Sequence, residues 1–224
     1  MDDIVCLTLG EFEVNCFLFS YEDKLCVVDP GDACTALIHE IDEICRENNL
    51  TFSSIYLTHG HLDHVAGLNR LKKIYPDVTI YIGSRDKSFL GHGSYDVQYK
   101  TFSSGGMGSF VLQTLKEGED IVPADVYVSD GDVVFGDWKV IETSGHTQGS
   151  TCLYNENRKI VFTGDTLMFY NYGRTDLSGG SDTDIHASLR KILALPKNTI
   201  VCPGHENYGF KLQKAFLWSF MGAI

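Results

Sequence analysis

Short apolar runs bounded by turn residues recur along the chain, and between them lie a few longer stretches with helical spacing. Residues 4–9 and 14–20 read as strands, and 25–29 pairs back on the second across Tyr21-Glu22-Asp23-Lys24. Pro30-Gly31 ends that run. Asp32 then stands as the N-cap of a helix to about Asn48, with Leu37, Ile38, Ile41, Ile44 and Cys45 on one stripe. After the apolar run Ile55-Tyr56-Leu57, a second helical pattern opens at Val65 and continues to about Tyr75, where Pro76 stops it. A strand follows over 78–82. From Ser84 to Ala124 the periodicity fades into a stretch rich in Gly, Tyr and Phe. Such a length inside a compact domain reads as a lid or binding loop, or else conceals short elements.

The pattern restarts near 126–128, then gives a hairpin of 133–135 and 138–142 turning at Gly136-Asp137, and another of 151–154 and 160–163. A helix over 183–194 is stopped by Pro196, and 199–202 reads as a last strand. The run Phe216-Leu217-Trp218-Ser219-Phe220-Met221 is too short to span a bilayer and is expected to end a core helix. Strand runs with helices between them, twice over, predict an α/β fold of two packed sheets covered by helices. With 224 residues, 43% apolar, and no linker or low-complexity tract, the whole of 1–224 is expected to form one domain.

Charge narrows the partners. A formal net charge of −12 without any basic cluster argues against nucleic acid, whose phosphates need Lys and Arg to displace counterions. The seven cysteines are odd in number and lack Cys-x-x-Cys spacing, so neither a disulfide framework nor a zinc knuckle is expected. The start Met1-Asp2-Asp3 resembles neither a secretory signal nor a transit peptide. A cytoplasmic protein with no membrane partner is the expectation.

The chemistry concentrates at Thr58-His59-Gly60-His61-Leu62-Asp63-His64, directly after an apolar run. In an extended segment, side chains at i and i+2 share a face, so His59 and His61 can converge on one ion. Asp63 and His64 lie in the following turn and can serve a second. Imidazole suits Zn, Fe, Cu or Ni, while a carboxylate adds charge and can orient a water. Three later groups stand beside glycine after apolar runs: His146 in Ser144-Gly145-His146-Thr147-Gln148-Gly149-Ser150, Asp165 in Thr163-Gly164-Asp165-Thr166, and His205 in Pro203-Gly204-His205. Asp29 either orients one of these histidines or hydrogen-bonds within its turn. His39 and His186 read as surface or helix-packing residues, and His92 is a substrate-side candidate within 84–124.

These residues, in this order, resemble the metallo-β-lactamase superfamily over nearly the whole chain. The resemblance implies the family's four-layer αββα sandwich and a binuclear site: His59, His61 and His146 on one ion, Asp63, His64 and His205 on the other, and Asp165 between them. Two divalent ions are implied, zinc first, with iron or manganese as alternatives. Gly173-Arg174-Thr175-Asp176 with Gly179-Gly180 is similar to the short relatives of glyoxalase II and to the persulfide dioxygenases.

The leading expectation is hydrolysis of a thiol ester such as a hydroxyacylglutathione. A bridging hydroxide, available because metal lowers the pKa of bound water to roughly 7, would be oriented by Asp63 and Asp165. Arg174 matches a glutathione-contacting lysine of glyoxalase II, while Asp176 replaces a tyrosine, so Arg174 is either a substrate anchor or the partner of an acidic neighbour. With so little sequence after His205, the C-terminal helical domain of glyoxalase II is not expected here. The alternatives are a persulfide dioxygenase with one iron, a lactone or β-lactam hydrolase, and a metal-binding protein without catalysis.

Overall fold

A computed structural model describes residues 4–215. The expected terminal helix over 216–221 lies outside these residues. The first sheet runs in sequence order through β1 (Val5–Leu9), β2 (Val14–Tyr21), β3 (Lys24–Val28), β4 (Thr51–Leu57), β5 (Thr79–Gly83) and β6 (Val126–Val128). Its first three strands pair antiparallel through tight turns, and β3 to β6 pair parallel. Parallel neighbours cannot be joined by a hairpin, so each crossover carries helix. These are α1 (Thr35–Asn48), then α2 (Leu62–Val65) with α3 (Leu68–Ile74), then a 3-10 turn at Ser84–Phe89 with α4 (Ser94–Ser104) and α5 (Gly108–Thr114).

The second sheet holds β7 (Val133–Val134), β8 (Trp138–Glu142), β9 (Thr151–Asn155), β10 (Ile160–Gly164), β11 (Ile200–Pro203) and β12 (Phe210–Lys211), again in chain order. Only β10 and β11 are parallel in it, and α6 (Asp182–Leu193) makes that crossover. Ser181 caps α6 by accepting from the Asp184 N–H, with acidic residues in the first turn and Arg190 and Lys191 in the last, as the helix dipole favours.

Alternation along the strands separates three apolar layers. In β2, Leu18 and Cys16 face α1 and α3, whereas Phe17 and Phe19 face the second sheet. The middle layer is aromatic: Phe19, Trp138 and Phe162 pack with ring centroids 4.5 to 5.5 Å apart. Burying each such side chain contributes roughly 1.5–3 kcal/mol. The third layer sets Ile185, Leu189 and Ile192 of α6 on Val161 and Val201. Helix, sheet, sheet, helix is the expected four-layer sandwich. Among the described residues, no helix is long and apolar enough to cross a membrane.

Two expectations are corrected. Asp32 does not cap α1; the helix starts later, with Cys34 at the cap position and no side-chain cap bond. The Pro30 carbonyl just upstream is engaged by the Gly67 N–H at 2.9 Å, which pins this segment under the metal-motif turn. The helix after that motif is split at Ala66-Gly67, because the Gly67 N–H donates to that carbonyl and not back along the helix, an approach that only glycine allows, since a Cβ there would lie 2.6 Å from the same oxygen. The 84–124 stretch, by contrast, conceals short helices, the second of its two expected readings.

Candidate metal centre

Most of the side chains singled out stand just beyond the end of a strand. Asp29 follows β3, His59 and His61 follow β4, Asp165 follows β10 and His205 follows β11, all at the C-terminal ends of strands in parallel pairs. His146 lies in the β8–β9 connection. The crevice at such strand ends is where open α/β sheets place ligands.

The fold brings all seven candidate ligands together. His59, His61 and His146 form one group that could hold a metal ion, Asp63, His64 and His205 a second, and His59, His64 and Asp165 a third joining the two, with the ligand atoms of each group within 4.8 Å of one another. Asp165 faces both sides, its Oδ1 3.5 Å from His64 Nε2 and its Oδ2 3.4 Å from His146 Nε2.

Hydrogen bonds at the far nitrogen fix how the imidazoles point. Nδ1 of His64 donates to Asp29 Oδ2 at 3.0 Å, Nδ1 of His146 to the Arg174 carbonyl at 2.7 Å, and Nδ1 of His205 to the Phe12 carbonyl at 3.0 Å. His59 Nδ1 lies 3.1 Å from Thr58 Oγ1, which itself donates to Asp29 Oδ2 and so accepts from the ring. Each acceptor at Nδ1 leaves the Nε2 lone pair turned inward, the arrangement a bound cation requires. His61 instead presents Nδ1, 2.8 Å from His146 Nε2. His59 Nε2, His61 Nε2 and Asp165 Oδ1 are buried with no hydrogen-bond partner. Orphaned buried polar atoms are uncommon, and a nitrogen and a carboxylate oxygen left bare beside other inward lone pairs fit a divalent ion.

The two groups differ electrostatically. Burial, with the neighbouring imidazoles, pushes His59 and His61 well below the ordinary histidine range. Burial also works against His64, but Asp165, Asp63 and Asp29 outweigh it and hold its pKa up at about 10. His205 is raised as well: burial opposes, and Asp165 and Asp63 prevail. Asp63 is lowered despite its burial, through His64 and His205.

Of the two roles expected of Asp29, its carboxylate takes the orienting one, accepting from His64, and its remaining bonds come from the N–H and hydroxyl of Thr58 on the neighbouring strand end, not from its own turn. One buried carboxylate was not singled out by the sequence. Asp86 accepts from the N–H groups of Gly60 and Gly149 and from the Thr147 hydroxyl, and burial raises its pKa. His92, the substrate-side candidate in 84–124, stands fully exposed beside Asp120 and is not among the residues lining the cleft. His39 pairs with Glu43 on the surface, and His186 packs against Tyr172.

The centre opens into a cleft of about 360 Å³, walled on its apolar side by Phe12, Phe102, Met107, Met168 and Leu177, with Arg174 and Glu206 among its polar residues. The Arg174 guanidinium makes two 2.6 Å bonds to the Asp176 carboxylate, and this partner holds the Asp176 pKa down at about 2.

The sequence model of the metallo-beta-lactamase superfamily matches residues 9–205. The chain belongs to that superfamily. It is therefore a metal-dependent hydrolase by family. A protein of Haemophilus influenzae named hydroxyacylglutathione hydrolase GloC is 30% identical over 210 residues, covering 92% of each chain. An uncharacterized protein of Aquifex aeolicus is 31% identical over 211 residues, covering 90% of this chain and 89% of its own. Among solved structures, the di-iron-bound form of TTHA1623 superimposes with a TM-score of 0.75 at 26% identity, over 94% of this chain and 96% of that one.

Proposed function

We propose that this metallo-beta-lactamase superfamily member is a thioester hydrolase acting on a hydroxyacyl thioester of glutathione or a related thiol. The observation that carries the reading is the division of the seven inward groups into two sets of three, each with its own protein ligands, joined by Asp165. His59, His61 and His146 would hold one ion and Asp63, His64 and His205 the other, with Asp165 shared and zinc the proposed metal. The relative named hydroxyacylglutathione hydrolase, matched over 92% of each chain, supports the substrate class.

Divalent ions, if held there, would supply a nucleophile from water at neutral pH and would polarise an acyl carbonyl. Asp63 and Asp165 flank that position as carboxylates, accept hydrogen bonds from the attacking water and so fix its lone pair toward the acyl carbon. The apolar wall of Phe12, Phe102 and Met107 seats the uncharged part of the substrate and excludes bulk water from the bond being cleaved. Arg174 offers a cation to the acidic end of the thiol, in exchange with Asp176. The sulfur departs as a thiolate, whose conjugate acid has a pKa of roughly 8.5, so no residue need donate a proton to it.

The test is hydrolysis of S-lactoylglutathione to lactate and glutathione, alongside oxygen consumption with glutathione persulfide. Hydrolysis without oxygen uptake, lost in His59→Ala and Asp165→Ala while both variants stay folded, is the expected result. A protein that consumes oxygen, with its metal fixed at one iron when zinc is supplied, overturns the assignment.

A further inference from the structure

We propose that Asp86 is a positioning residue for the three-histidine set: it clips the loop presenting His59 and His61 to the loop presenting His146. This rests on the reading that those histidines hold an ion. The two loops are far apart in the chain, yet His61 and His146 must converge to 2.8 Å. Among the described residues, Asp86 is the side chain that bonds directly to both. Its Oδ2 accepts from the N–H of Gly60, the residue between the two histidines, at 2.9 Å, and from the hydroxyl of Thr147, next to His146, at 2.7 Å. Its Oδ1 accepts from the Gly149 N–H at 2.7 Å.

None of these three bonds lies within the turn at Ser84–Phe89 that carries Asp86, so the carboxylate is not serving its own backbone as a turn-forming Asp does. It touches no imidazole and works through the loops. The donors are themselves fixed. Ser150 Oγ accepts from the Thr147 N–H and lies 2.7 Å from Thr147 Oγ1, which leaves the Thr147 proton for Asp86. Gln98 Nε2 donates to the Gly60 carbonyl at 2.7 Å, so the residue between His59 and His61 is gripped at both its N–H and its C=O. Gly149 gives room for the approach, since a Cβ there would lie 2.7 Å from the Asp86 carboxyl carbon.

Asp86→Asn keeps the volume but turns one oxygen into an NH2 that must face a donor, which breaks the clip on one side. Zinc binding to the metal-free protein, read by competition with a chromophoric chelator, tests this without any substrate. The binding step removed by His61→Ala identifies the three-histidine set. In Asp86→Asn that step is expected to weaken about 10- to 100-fold, the usual effect of losing a partner that supports metal ligands, while the other step and the melting temperature of the metal-free protein stay close to wild type. Thr147→Val, which removes a single donor, should weaken the same step less, and it carries the test if Asp86→Asn does not fold. Equal weakening of both steps, or an unchanged first step in either folded variant, overturns the proposal. Wild-type protein that takes up no zinc overturns the metal-centre reading itself, a result distinct from either of these.

Discussion

Arg174 stands at the cleft mouth with its guanidinium on Asp176 while its backbone carbonyl holds His146, so the side chain can be removed without cutting the bond that orients the ligand. Arg174→Ala is expected to raise KM for an anionic thioester with little change in kcat, costing roughly 1.5–3 kcal/mol, or about ten- to a hundredfold in kcat/KM. An unchanged KM with a lower melting temperature would make the side chain a loop tie instead. The histidines give a second prediction. His59 and His61 are kept unprotonated by burial, whereas His64, with its pKa held at about 10, carries a proton in the metal-free protein at neutral pH. Metal at the Asp63, His64 and His205 set must displace that proton, so its affinity should fall as pH drops, and more steeply than at the other set. Calorimetric titration in buffers of different ionisation enthalpy measures the protons released, and no release at this second step would contradict the picture. The candidate ligands were legible as a cluster because glycine-flanked His and Asp after apolar runs have few other uses. Asp86 was not: its partners Gly60, Thr147 and Gly149 lie 26, 61 and 63 residues away, and between Arg85 and Lys87 it reads as surface charge.

The elements divide by what their inner faces are made of. α1 was legible because Leu37, Ile41 and Ile44 repeat at helical spacing and are buried. α4 was not, because the residues it buries are Ser94, Gln98, Thr101 and Phe102, mostly polar. That polar face has work to do: Ser94 Oγ accepts from the Ile121 N–H, and Gln98 reaches the carbonyls of Gly60 and Phe89. Hydrophobic periodicity cannot register a helix that docks by hydrogen bonds. The break between α2 and α3 was missed for a different reason, since it depends on a carbonyl remote in sequence. Gly67→Ala would force its Cβ against Pro30 O and is expected to destabilise by about 1–3 kcal/mol, read as a lower urea midpoint at unchanged slope. A neutral substitution would mean that the break tolerates a side chain and that helix propensity, not contact, decides it.

At the scale of the whole molecule, the layers were legible from strand alternation and the pairing order was not, because alternation says which face is buried and nothing about which strand lies beside it. The first sheet's connections supply His59, His61, Asp63 and His64, and the second sheet's supply His146, Asp165 and His205. Each set of three thus draws on both sheets. Zinc at a hundred times its Kd should stabilise the fold by about 2.7 kcal/mol and raise the melting temperature by roughly 5–10 °C, and a chelator should reverse this. A melting curve indifferent to zinc and chelator would mean that the centre holds no ion in the folded chain. Because each sheet is continuous in sequence, the chain passes from one to the other once among the described residues, through the exposed residues 129–132 between β6 and β7. Opened at that turn, the molecule becomes two complementary pieces, each with an aromatic face to cover, the first with four of the candidate ligands and the second with three. Neither piece alone can bind metal as the whole does, so cobalt colour would signal their reunion, and the centre acts as a logical AND over the two halves of the chain.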